Sequence, residues 1–312
     1  MKHRRQAFIL SAIALLLIAP NLTPDLVSNL AYAEIYKYKD DSGRWVFSDK
    51  KPETKETKVE IVDYQVAEPK EEKASVYSTE HDDAYHVVVD NPFHAPLYVE
   101  LLSENKELNF KQLTAPAAVE ILYSSKQPLP SYQYRLSLGP KGVEPDNYGY
   151  RVPVAPGQEY RISQSFNGTF SHTQEPNIYA VDMAMQVGTY ITAAREGTVF
   201  FVKDDYHMSG RSDYFLDKAN YVGVYHEDGT HAIYAHILQD SVVVKPGDKV
   251  KVGDTLARSG SSGYSTGPHL HFVIRKNGQS RTESVPFVFV DAQGQTFTPK
   301  RGMMVSSAKP GP

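Results

Sequence analysis

The chain has 312 residues, a formal net charge of -4, 41% hydrophobic residues, 21 tyrosines and no cysteine. That length is ample for buried cores without covalent staples, and the lack of cysteine excludes disulfides, thiolate metal sites and a lipid-modified cysteine anchor. A mildly acidic balance argues against nonspecific nucleic-acid binding.

In chain order, Lys2, Arg4 and Arg5 precede an apolar run over 8–19, and Ala31-Tyr32-Ala33 offers a small-x-small cleavage site. Residues 1–33 are therefore expected to be a secretory signal, since the apolar run is shorter than the ~20 residues a spanning helix needs. A periplasmic or secreted protein follows, with no stable membrane insertion after cleavage. Residues 34–49 read as two short strands around Asp41-Ser42-Gly43-Arg44. Residues 50–75 carry dense charge of both signs and read as linker, with a short strand at Val59–Val62.

From 76 to 153, β-like runs recur at 85–89, 97–102, 118–122 and 132–138, separated by turn clusters such as Asp90-Asn91-Pro92. Short strands at this spacing predict a small antiparallel sandwich. His81, His86 and His94 lie here without ligand spacing and are read as surface or packing residues. From 154 to 298 the pattern stays β-rich, giving an all-β fold class throughout. Val242–Val244 and Lys249–Val252 are predicted strands around Pro246-Gly247, and Asn277-Gly278 signals a hairpin. Residues 299–312, ending Lys309-Pro310-Gly311-Pro312, are expected to fray.

Within 154–298, His269 and His271 stand two apart where a strand begins, so both side chains fall on one face and can converge on one ion. Asp182 sits inside the apolar segment Tyr179–Met185, where a carboxylate needs a donor, a cation or a metal. Histidine and carboxylate ligands suit zinc, and three protein ligands leave a coordination position open for chemistry. His226-Glu227-Asp228-Gly229-Thr230-His231 imitates H-E-x-x-H, but its second histidine falls one residue late. Its Asp-Gly turn and flanking β-runs predict a hairpin with Glu227 and His231 at the tip, and with His236 at the end of the second strand. The glycine-rich stretch 259–263 lacks the Gly-Lys-Ser/Thr of a phosphate loop, and its glycines allow close backbone approach instead.

Gly188-Thr189, Ala193–Val199, Asn220-Tyr221-Val222, Tyr234-Ala235-His236 and Gly253-Asp254 through Gly267-Pro268-His269-Leu270-His271-Phe272 occur in the order that resembles lysostaphin-type (LytM-domain) zinc metallopeptidases. The resemblance implies an antiparallel β-sheet peptidase domain, preceded by a small β-sandwich-like accessory domain of proteobacterial type. It also implies one zinc ion per chain and peptidoglycan, in a Gram-negative periplasm, as the partner whose peptide cross-links are cut. By motif position, Asp182 and His271 resemble zinc ligands, and His236 and His269 resemble the catalytic histidines. The commonest family spacing is H-x-x-x-D, and Ile178 occupies that histidine's place. His172 is the nearest upstream candidate, resembling members with a longer loop, and completes the expected ligand set. Asn220 and Tyr234 are candidate supporting or substrate contacts. The alternative is a non-catalytic regulator docked on the wall or on another wall hydrolase. Residues 34–49 are similar to a small domain of unknown function found after signal peptides in Gram-negative secreted proteins.

Overall fold

The computed structural model describes residues 35–39, 45–48, 60–62, 73–291 and 293–307. The expected signal at 1–33 and the turn at 41–44 lie outside the described residues. The chain divides into two compact units, 1–68 and 69–312. In the first, β1 (Ile35–Lys39) pairs antiparallel with β2 (Trp45–Ser48) on one side and β3 (Glu60–Val62) on the other.

The second unit begins with six strands: β4 (Ser75–His81), β5 (Ala84–Asn91), β6 (Leu97–Ser103), β7 (Lys111–Leu113), β8 (Ala118–Ser125) and β9 (Tyr132–Leu138). They form two three-stranded antiparallel sheets, ordered β4-β5-β8 and β7-β6-β9. Alternation places Val87 and Val89 of one sheet and Val99 and Leu101 of the other in a shared core with Val76 and Leu108. Burying each such side chain contributes about 1.5–3 kcal/mol. The predicted sandwich is the one observed.

The remaining strands are β10 (Gly149–Arg151), β11 (Tyr160–Gln164), β12 (Val181–Ala184), β13 (Tyr190–Thr192), β14 (Gly197–Lys203), β15 (Ser209–Gly210), β16 (Tyr221–Tyr225) and β17 (His231–Ala235). After them come β18 (Lys249–Val250), β19 (Thr255–Arg258), β20 (Gly263–Tyr264), β21 (His269–Asn277), β22 (Thr282–Ser284), β23 (Val288–Val290), β24 (Thr296–Phe297) and β25 (Met304–Val305). The main sheet runs β18-β14-β16-β17-β21-β12-β11-β25, with β22 also on β21, and all its pairings are antiparallel. Helix among the described residues is confined to 3-10 turns at Lys106–Leu108 and Asp213–Phe215.

Strand β21 lies at the centre of this sheet and is buried on both faces. Leu270, Phe272 and Ile274 point into the main core, where Phe272 packs beside Tyr234, Phe287 and Phe289. Val273 points to the opposite face, into a second cluster with Ala95, Phe200 and Ile233 that also packs Phe93 and Leu138. The sandwich therefore covers one end of the face that carries His269 and His271. The junction is pinned where Asn277 Nδ2 donates to Gly139 O (2.9 Å) and Gly142 N donates to Asn277 O (3.0 Å).

Three expectations are corrected. His231 is not at a hairpin tip: it pairs with Tyr225 inside β17 and is buried edge-on to Phe200, because the turn is tighter than the apolar run suggested. Val242–Val244 form no strand; Val243 N donates to Leu256 O, but its side chain stays exposed. Residues 299–307 do not fray, since β25 pairs with β11 and buries Val305, while 308–312 lie outside the described residues.

Candidate metal centre

The site grows out of the pairing between β12 and β21. Asp182 stands opposite His271 and Ala184 opposite His269, so the carboxylate shares a face with both imidazoles. Asp182 Oδ1 lies 2.8 Å from His271 Nδ1 and 3.9 Å from His269 Nε2. Across β21 the partner of His271 is Ala235, a small residue that leaves the space open.

His236 follows Ala235 and, by strict alternation, would point into the core beside Tyr234. Its φ of +63° breaks the alternation, a conformation costly for a non-glycine residue. The turn brings its ring to 4.5 Å from that of His269 and 5.8 Å from that of His271. His236 Nδ1 donates to Ser262 O (2.7 Å) and His269 Nδ1 to Gly267 O (2.8 Å), which leaves Nε2 of each ring free to act. Burial pushes His236 down to about 3, so it is neutral near pH 7. The loop holding its partner carbonyl packs tightly, because a Cβ on Gly260 would meet Leu238 N at 2.7 Å.

His172 arrives from the loop after β11 and is fully buried. Its Nδ1 donates to Ser165 O (3.0 Å), and its Nε2 lies 3.2 Å from Asp182 Oδ1. A β-bulge in β11 aims Gln164 at the same carboxylate: the register slips between Ile162 and Gln164, so Gln164 pairs with Asp182. Gln164 Nε2 donates to Asp182 Oδ2 (2.9 Å) and to Ser171 Oγ (2.8 Å), and its Oε1 accepts from Phe170 N and Ser171 N. Gly168 is required beside it, since a Cβ there would lie 2.3 Å from Gln164 Cγ.

One imidazole nitrogen each from His172 and His271 and one oxygen from Asp182 all lie within 4.8 Å of one another, and all three residues are buried. His172 spends its Nδ1–H on Ser165 O, and His271 donates from Nε2 to Asn177 Oδ1 (3.3 Å), which itself accepts from Arg275 Nη2 (2.6 Å). The two remaining lone pairs thus face a carboxylate oxygen, and three converging acceptors require a cation or protons between them. Burial would raise the Asp182 carboxyl, but when the facing nitrogens of His172 and His271 carry protons in place of a metal, their hydrogen bonds to it outweigh burial and hold the group well below its ordinary value. Two imidazoles and an ionised carboxylate, each oriented by a hydrogen bond on its other side, are a donor set that fits a divalent metal such as zinc.

In front of these residues lies a groove of about 890 Å³, lined by His236, His269, Phe170, Tyr264, Lys300 and Arg301 among others. Phe170 stacks on Tyr264 with ring centroids 6.1 Å apart. Residues 177–282 match the profile described as "Peptidase family M23", and residues 26–75 match "Domain of unknown function (DUF4124)". The chain carries an M23 peptidase domain. It is similar to the glycyl-glycine endopeptidase ALE-1 of Staphylococcus capitis, 37% identical over 120 residues, covering 38% of this chain and 30% of that protein. It is also similar to the peptidoglycan DD-endopeptidase ShyC of Vibrio cholerae, 32% identical over 156 residues, covering 48% of this chain and 32% of that protein. The matched stretch spans about a third of these relatives' length. A solved catalytic domain of the prophage-encoded M23 protein EnpA from Enterococcus faecalis aligns with 30% identity over 42% of this chain and 93% of that one, with a TM-score of 0.31.

The M23 match spans Asp182, His236, His269 and His271 but begins after His172, so that histidine joins the cluster through the fold alone. Asn220 is buried and supports the site indirectly: its backbone N donates to Ser262 Oγ (3.0 Å), and Ser262 O holds His236. Tyr234 is fully buried in the main core, its hydroxyl accepting from Ala194 N (2.9 Å). Gln164, Asn177 and Arg275 were missed from sequence. Gln164 had a signal, as a polar residue at an inward position of an alternating strand; Asn177 and Arg275 had none. His226 and His231 of the imitation motif stay outside the M23 site, His226 Nδ1 donating to Glu196 O (2.8 Å).

Proposed function

We propose that this chain is an exported zinc endopeptidase that hydrolyses the peptide cross-links of peptidoglycan. The observation that carries this reading is the convergence of His172, Asp182 and His271 in buried contact beside two further imidazoles at the floor of an open groove. Similarity to M23 relatives that are peptidoglycan and glycyl-glycine endopeptidases supports the substrate class.

His172, Asp182 and His271 would hold the metal. When bound, zinc supplies a water whose pKa is lowered from about 15.7 toward about 7 and an electrophile for the scissile carbonyl. The chain's own residues manage the protons. His236 and His269 each keep Nδ1–H on a backbone carbonyl and turn Nε2 toward the reacting centre. His236 and His269, with rings 4.5 Å apart, are placed to take the water's proton and to stabilise the oxyanion or protonate the leaving amine. The six-stranded sandwich over residues 75–138 acts as an accessory domain that braces the histidine-bearing face of the main sheet.

The test is metal analysis of the purified chain together with digestion of isolated peptidoglycan. Stoichiometric zinc and newly uncrosslinked muropeptides are expected. Absence of both, with stimulation of a second wall hydrolase, would replace this reading by the regulator.

A further inference from the structure

A basic turn forms one wall of the groove and takes no part in the hydrolytic chemistry. Lys300 and Arg301 are both exposed, and both line the groove. Their turn is closed by Met303 N donating to Lys300 O (3.2 Å), with Gly302 at φ +92° supplying the reversal. The turn is also anchored from beneath. Gly302 N donates to Ile162 O (2.8 Å), Ile162 N donates to Met303 O (2.9 Å), and Ser165 Oγ donates to Pro299 O (2.9 Å). Ile162 and Ser165 flank Gln164, whose amide holds Asp182, so one short segment carries both the support of a metal ligand and the two cations.

The charge of this wall opposes that of the protein as a whole. The chain carries a net charge of -4, yet Asp182 is the sole carboxylate among the described residues lining the groove, and it faces the metal centre. The Arg211 guanidinium lies 5.7 Å from the ring centroid of Phe170, a residue that lines the groove, adding a third cation close by. A groove with two exposed basic side chains on a fixed turn, whose sole lining carboxylate is turned to the metal centre, attracts an anionic group on the substrate.

We propose that Lys300 and Arg301 form a specificity subsite for a free carboxylate within one residue of the scissile amide. The subsite selects acidic cross-links over uncharged ones such as glycine bridges. This rests on the reading of the site as a cross-link hydrolase and adds which chemical class of cross-link it takes. It separates the two kinds of substrate named among the M23 relatives, since a glycyl-glycine bond carries no side-chain or branching carboxylate beside it.

The experiment uses the zinc-loaded full chain and two synthetic cross-linked peptides that differ only in a carboxylate or a carboxamide next to the scissile bond. Binding is measured by calorimetry and turnover by chromatography. The carboxylate peptide is expected to bind about tenfold more tightly, the sum of two modest exposed ion pairs, with a preference that shrinks as salt is raised. Lys300→Ala with Arg301→Ala should abolish the preference, and Lys300→Glu with Arg301→Glu should reverse it, with zinc content unchanged. Equal binding of the two peptides, or a preference that survives the double alanine variant, overturns the subsite. Cleavage of both peptides at equal rates also overturns it while leaving the hydrolase standing. Selective binding without cleavage keeps the subsite and removes the hydrolase. Failure to bind either peptide removes the subsite as well.

Discussion

Replacing Gln164 by Leu tests whether the metal centre depends on a residue that touches no metal. Leucine preserves most of the volume but removes the donor to Asp182 Oδ2 and the acceptor for Phe170 N and Ser171 N. A hydrogen bond to a buried charge contributes about 1.5–3 kcal/mol. Removing the outer partner of a metal ligand commonly lowers metal affinity about 10–100-fold, or about 1.4–2.8 kcal/mol. These ranges overlap, so a zinc affinity reduced by one to two orders of magnitude is expected. The loss has two sources: a carboxylate free to rotate, and a His172-bearing loop deprived of its anchor. Titration of the apo protein against a zinc chelator of known affinity measures it, and near-ultraviolet circular dichroism confirms that the fold persists. A folded Gln164→Leu protein with zinc affinity within about twofold of the parent would refute the reasoning, because the clamp would then hold nothing that matters to the ion.

The remaining predictions concern the imidazoles. His271→Ala should lose zinc, whereas His236→Ala should keep zinc and lose turnover by about 10²–10⁴-fold, and normal turnover would remove His236 from the chemistry. His172→Ala should also lose zinc; unchanged metal content would show that the ten-residue separation from Asp182 had been misread. Burial pushes His231 down to about 3 and His226 to about 4, so both stay neutral in the fold while the unfolded chain protonates them below about pH 6.5. Their contribution to stability is therefore complete above that pH and is lost as pH falls toward 4 and 3, at about 1.4 kcal/mol per histidine per pH unit. Urea unfolding between pH 6.5 and 4 should decline less steeply for His231→Phe than for the parent, and identical slopes would contradict the assignment.

Local pattern made much of the fold legible. The β-like runs at 85–89, 97–102, 118–122 and 132–138 located β5, β6, β8 and β9, because each is rich in β-branched, aromatic and apolar residues and is bounded by turn clusters. The same logic failed at Val242–Val244, where one backbone bond from Val243 to Leu256 does not extend into a strand, and at His231, where a tight turn carried the histidine into the strand. Residues 299–307 read as a tail because their composition is that of one; β11 supplies the pairing that orders them, and no local signal could reveal it.

For the site, the amino-acid sequence alone determined that His269 and His271 share a strand face and that Asp182 needs a partner, since both follow from strand period and the cost of burying charge. Tertiary structure decided the rest. The bulge that turns Gln164 toward Asp182, the positive φ that swings His236 out of the core, and the loop that returns His172 to the cluster are each set by packing between segments distant in sequence. Local periodicity carries no information about such contacts, because it describes which way a side chain points from its own strand and not what another strand brings to meet it.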